Sequence, residues 1–166
     1  FVSCTSVTTN PLCFVNGVRR SGVYDNTART KAHGVELEGS VDLGPLQVLA
    51  NYTWTDTEND SAGNANRGKQ LARRPEHQAN ILTTYTWSND ATLGAAIRYV
   101  GASFDNAANS YVLQSYTLVD LRASYPVNET FEVYGRVENA FDDSYETTRN
   151  YGSPGRGAYV GVRAKF

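Results

Sequence analysis

Methionine is absent, cysteine, histidine and tryptophan occur twice each, and no apolar run approaches the roughly 20 residues of a membrane-spanning helix. Each scarcity removes a class of protein. Without such a run the chain is not a helical membrane protein. Two cysteines, with His33 and His77 far away in sequence, do not make the clustered ligands of a metal centre, and no metal or other cofactor is expected. A nucleophile elbow, a phosphate loop and an HExxH helix are missing as well, so no catalytic residues are expected. A formal net charge of -2 leaves no excess of cations for a nucleic-acid partner. A complete translation product begins with methionine, so the chain is expected to be a processed product or, preferably, a fragment; no secretory signal peptide is there to be read.

The low mean hydropathy does not exclude a β-barrel, because in a membrane barrel every second side chain faces a polar lumen. The 11 Tyr and 14 Gly, with recurrent Thr, Val, Asn and Ala, suit strands and turns. Helix-period segments are lacking, whereas period-two alternation returns along the whole chain. Val35, Leu37, Gly39, Val41 and Leu43 alternate with Glu36, Glu38, Ser40 and Asp42 before a Gly44-Pro45 turn. Leu46, Val48, Ala50, Tyr52 and Trp54 follow on one face, with Leu49 as an exception on the other.

Further strands are read at Ala79 to Trp87, Leu93 to Tyr99, Val119 to Tyr125, Phe131 to Glu138 and Ala158 to Phe166. The total is about seven. The connections alternate between short turns, at 44–45, 88–90 and 126–129, and long polar loops, at about 57–75, 105–113 and 142–157. Outer-membrane barrels have this asymmetry, and strands of roughly 9 to 11 residues suffice to cross a bilayer. Tyr52, Trp54, Tyr85, Trp87, Tyr99, Tyr125 and Phe131 cluster near strand ends, as interfacial girdles do. A soluble β-sandwich would alternate equally well, but it gives no reason for every second connection to be long.

Cys4 and Cys13 flank a short segment rich in Thr, Ser and Asn. A local disulfide, and hence an oxidising compartment, is the expectation; two unpaired thiols in a cytosolic protein are the alternative.

Several motifs carry a resemblance to one family. Asn139, Ala140, Phe141, Asp142, Asp143, Ser144 and Tyr145 resemble the Asn-Leu-Phe-Asp-x-x-Tyr element of TonB-dependent outer-membrane receptors, with Ala140 departing from the usual Leu. Pro154, Gly155 and Arg156 resemble the Pro-Gly-Arg before the family's final strand, and Phe166 resembles its terminal aromatic, the signal read by the barrel-assembly machinery. Gly34, Val35 and Glu36 are similar to a Gly-Val-Glu element; Arg74, Pro75 and His77 are similar to an Arg-x-Pro-x-His element. The resemblance runs from about Tyr24 to Phe166 and leans slightly toward cobalamin receptors.

The resemblance implies an all-β, antiparallel transmembrane barrel, of which residues 1–166 would be the C-terminal part: about seven strands of a barrel of about 22, with the plug domain absent. It implies a bacterial outer-membrane location with a periplasmic C-terminus, contact with outer-membrane lipid, and uptake of a ferric siderophore or cobalamin driven through TonB. Such a piece would not function alone. Cargo would meet the long loops, where Arg67, Lys69, Arg73, Arg74, Tyr145, Arg149, Tyr151 and Arg156 are candidate contacts. Arg suits anionic oxygens through paired donors, and Tyr supplies flat contact area. Solvation of the loops, or lipopolysaccharide phosphates, would account for the same cations. Two other functions fit the strands: a plug-less porin or adhesin-like barrel, and a soluble carbohydrate-binding β-sandwich.

Overall fold

The computed structural model describes residues 2–5, 11–23 and 29–165, so Tyr24 and Phe166 lie outside the described residues. Period-two alternation becomes one antiparallel meander. Its strands are β1 (Thr30–Leu43), β2 (Leu46–Asn59), β3 (His77–Thr86), β4 (Thr92–Val100), β5 (Tyr116–Pro126), β6 (Phe131–Glu138) and β7 (Gly157–Ala164). Each strand pairs with its neighbours in sequence, giving an open seven-stranded sheet with β1 and β7 as its edges. Because the order is a meander, the three short turns lie at one end and the loops 60–76, 101–115 and 139–156 lie together at the other.

Residues directly opposite in an antiparallel ladder share a face, so the register converts sequence alternation into continuous rows. One row crosses all seven strands through Leu43, Leu46, Tyr85, Leu93, Ala123, Gly135 and Val160. The adjacent row, on the opposite face, is Asp42, Gln47, Thr84, Gly94, Arg122, Arg136 and Tyr159. One side of the sheet is therefore apolar and the other polar. The apolar rows have no protein over them: Leu37 is 60 % exposed, Val162 64 % and Val160 81 %. The other sheets among the described residues are two-stranded ribbons, and no second sheet covers the apolar face. This removes the sandwich.

Among the described residues the buried apolar side chains are Cys4, Cys13, Val23 and Leu113, far too few to hold seven strands. Three of them form a small separate cluster beside the Cys4–Cys13 disulfide, whose Cα atoms are 5.5 Å apart. Around it lie the ribbons Val2–Ser3 with Gly22–Val23 and Phe14–Val15 with Val18–Arg19. The only helical element described is the 3-10 turn Pro11–Cys13.

The aromatics separate into two bands on the apolar face. Tyr52, Trp54 and Tyr99 lie toward the long loops, where the Tyr52 hydroxyl hydrogen-bonds His77 Nδ1 at 2.7 Å. Tyr85, Trp87, Tyr125 and Phe131 lie toward the short turns, with the Tyr85 and Trp87 rings edge to face at 4.8 Å. Aromatic bands at both margins of an apolar belt are what two membrane interfaces select.

The first two strands run further than alternation predicts. Thr30 to Gly34 pair with Thr55 to Asn59, so the β1–β2 hairpin projects beyond β3 at the long-loop end. That extension has polar residues on both faces, His33 opposite Asp56 on one and Thr30 opposite Asn59 on the other, so it carries no two-residue hydrophobic signal. At its base the carbonyl of Trp54 lies where a side chain on Gly34 would be, and only glycine lets the two backbones approach there. In the full-length protein Gly34→Val is expected to cost about 1–3 kcal/mol from overpacking. Gly39→Val, with open space around the added atoms, should be neutral. Heat-modifiable migration on gels compares the two, and equal behaviour of the variants would remove the close-approach explanation.

Candidate functional site

The three long loops are tied down and tied to one another by short-range polar contacts. Asp60 opens the first. Its carboxylate, 7 % exposed, receives Lys31 Nζ at 3.0 Å, Arg29 Nε at 3.1 Å and Arg67 Nη2 at 3.3 Å. The Lys31 hydrogen bond holds its carboxyl below the usual aspartate range; partial burial opposes this, and the charges of Lys31 and Arg29 with the Arg67 bond add to the lowering. Lys69 Nζ donates to the Ala108 carbonyl at 2.9 Å, which joins this loop to the second. Arg73 does the same through Asp105, with Nε 3.0 Å from Oδ1. The same Asp105 oxygen accepts the backbone N–H of Arg149 at 3.2 Å, so one carboxylate connects all three loops.

The last loop starts from Asn139, buried and held at a φ of 48°, a conformation Asn tolerates better than most residues. Its side chain donates to the Asp143 carbonyl and accepts the Asp143 N–H, both at 2.9 Å, while its own N–H donates to Asp120 Oδ1 at 2.9 Å. Asp142 Oδ1 accepts the Arg156 N–H at 2.7 Å and lies 2.7 Å from where a Gly155 side chain would start. The Asn-Ala-Phe-Asp and Pro-Gly-Arg motifs are thus two halves of one latch, and Gly155 is glycine because Asp142 occupies its side-chain space.

Two adjoining cavities, one of about 440 Å³ beneath these loops on the polar face and one of about 390 Å³ between the second and third loops, share Gln114 and Glu146. The first lies between the loops and the wall, lined by Arg73, Gln78, Asn80, Arg98, Tyr116 and Glu146 among others. The second is bounded by Tyr111, Ser115, Asp143, Tyr145 and Gly155. Tyr116 and Tyr145 face each other with ring centres 4.4 Å apart at 31°. Arg149 places its guanidinium 4.2 Å over the Tyr111 ring, and the Tyr111 hydroxyl reaches Glu146 at 3.5 Å.

Of the eight candidate contacts, the cavities bring together Arg73 and Tyr145, with Arg149 packed behind Tyr111. Arg67 and Lys69 are engaged in loop folding through Asp60 and Ala108. Arg74 is exposed, its carbonyl accepting Gln70 Nε2. Tyr151 is 71 % exposed, and Arg156 donates to the Ala140 carbonyl in the latch. Sequence reasoning passed over Gln78, Asn80, Arg98 and Tyr116. Their signal was available: all four sit on the polar parity of their strands, close to the end from which the long loops leave.

A sheet with one bare apolar face, aromatic margins and a looped polar cavity is the wall of a large barrel, and comparison with known proteins agrees. Residues 3–140 match the family described as TonB dependent receptor-like, beta-barrel. The chain belongs to this family. It is 32 % identical over 141 residues to the vitamin B12 transporter BtuB of Photobacterium profundum, covering 85 % of this chain and 22 % of that protein. The structure of the siderophore receptor PiuA from Acinetobacter baumannii superposes with a TM-score of 0.75 at 26 % identity, over 82 % of this chain and 22 % of that one. The ferripyoverdine receptor of the Pseudomonas aeruginosa outer membrane does so with a TM-score of 0.68 at 28 % identity, over 82 % and 20 %. The chain thus spans about a fifth of the length of the receptors it matches.

Within this receptor-barrel wall, the Asp60 cluster sets a pH dependence. A carboxyl whose folded value is depressed stabilises the fold above its ordinary value and loses that contribution as pH falls through the depressed one. The Asp60 N–H, bonded to the Arg29 carbonyl at 3.0 Å, should stay protected from hydrogen exchange at neutral pH and lose protection below about pH 4. Protection unchanged at pH 2 would show that the cluster does not hold the loop.

Proposed function

We propose that the chain is the C-terminal wall of an outer-membrane receptor that takes up a ferric siderophore or cobalamin with energy supplied through TonB. The observation carrying this reading is the pairing of a bare apolar face with a polar face whose cavities lie under three long loops gathered at one end. The apolar rows contact outer-membrane lipid, the loops face outward, and the C-terminus is periplasmic. Cargo entering from outside meets Arg73 and Tyr145 at the loop rim before it reaches the strand residues below. Import of this kind requires binding and release, not bond chemistry, so the reading assigns no catalytic role to any residue.

The vitamin B12 transporter relative, at 32 % identity, supports the slight lean toward cobalamin receptors, and the siderophore receptor structures, at 26 % and 28 %, support the other cargo class. In this reading a plug would close the lumen in the whole protein. A plug-less porin would move solutes without TonB, and this separates the two readings. The full-length gene is expected to restore growth on one member of a panel of ferric chelates and cobalamin, and to fail in a strain lacking TonB. Growth that persists without TonB would overturn the receptor reading in favour of a passive pore.

Phe166 is assigned the role of assembly signal for the barrel-assembly machinery. Its deletion from the full-length protein is expected to lower outer-membrane levels more than any loop substitution. Immunoblots of purified outer membranes measure this; unchanged levels would remove the assignment.

A further inference from the structure

The larger cavity has an unequal use of its cations. Arg73 at its rim is already neutralised by Asp105 at 3.0 Å, and Arg149 behind it lies flat on Tyr111. Deeper on the polar face, Arg136 and Arg163 are held by Glu138 and Glu132. Arg98, on β4, lines the cavity, and its side chain makes neither a hydrogen bond nor an ion pair among the described residues, although its charge acts on Tyr116. The side chains of Arg74 and Arg122 share that lack but do not line this cavity.

The surroundings of Arg98 suit an anion. Asn80 and Leu118 flank it across the ladder, so no carboxylate stands opposite. Gln78, Gln114 and Tyr116 line the same space and can donate through amide N–H or hydroxyl groups. The acid in the cavity is Glu146, which comes from the last loop and stands beyond ion-pair distance of Arg98. A fixed cation on the wall and an acid on the loop side give the cavity a direction. Anionic oxygens are drawn to the wall and kept away from the loop.

We propose that Arg98 is the fixed anion anchor of this cavity, and that the cargo is an anionic chelate of carboxylate or catecholate type whose oxygens its guanidinium takes as a bidentate pair. This rests on the uptake reading above and narrows it to one cargo class. The guanidinium matches two neighbouring oxygens in one plane, which an ammonium does not. Its backbone sits in a fully paired strand, away from the loops.

The test uses the full-length receptor, purified in detergent, as wild type, Arg98→Gln and Arg98→Lys. Four probes are offered: a ferric tris-catecholate, ferric citrate, a neutral ferric tris-hydroxamate and cyanocobalamin. Wild type is expected to bind an anionic chelate most tightly. Arg98→Gln should weaken that chelate about 10- to 100-fold, the loss of a hydrogen-bonded charge, and flatten the dependence of its Kd on salt. Arg98→Lys should recover part of the loss, and heat-modifiable migration should be the same for all three proteins. Tightest binding of cyanocobalamin or the hydroxamate by wild type would overturn the proposal while leaving uptake standing. So would an Arg98→Gln Kd within about twofold of wild type on the anionic chelate. If wild type bound none of the four, the uptake reading would fall and the anchor with it.

Discussion

Every part of this sheet depends on an apolar face that the protein itself leaves bare. In water, rows such as Leu43, Leu46, Tyr85, Leu93 and Val160 would gain stability by burial against a second layer. Here there is none, and in the uptake reading proposed above hydrocarbon takes the place of the missing layer. The same solvent then dictates the backbone. Within lipid an unpaired peptide group costs several kcal/mol, so strands are tolerated only when both sides are paired. β1 and β7 each have one unpaired side in this chain, and further strands of the same kind are needed to satisfy them.

The polar face follows a different economy. Water in a lumen screens charges, so a half-exposed pair such as Arg73 and Asp105 contributes less than about 1 kcal/mol. No single contact of that size orders a loop. Order comes from their number and from multidentate groups: Asp60 with three cations, Asn139 with both halves of its amide in use, Asp105 serving two loops.

Strand identity, face and connection length were legible because one face of each strand must be apolar at every second position. Leu43, Val41, Leu37 and Val35 declare their strand without any knowledge of its neighbours. The legibility stopped where that constraint stopped. Thr30 to Gly34 extend β1 beyond the belt through backbone pairing and polar side-chain contacts such as Lys31 with Asp60, and no apolar alternation announces it. The ribbon Glu146–Thr148 with Tyr151–Gly152 was hidden inside an expected loop, as was Val112–Leu113, whose partner Ser103–Phe104 lies just before that loop, for the same reason. Loop chemistry was the least legible. Arginine type alone cannot distinguish Arg67, engaged by Asp60, from Arg98, whose side chain makes no ion pair or hydrogen bond among the described residues, since the difference is set by contacts between residues distant in sequence.

The shared carboxylate of Asp105 has a consequence for how such a protein diversifies. With Arg73 on one side and the Arg149 backbone on the other, a substitution at Asp105 disturbs three segments together. Variation in this roof is therefore constrained to arise as compensated sets rather than as independent single steps. Drift in this roof would leave its mark as correlated changes across segments far apart in the gene, whereas each position of the bare apolar rows can change alone within the greasy residue types.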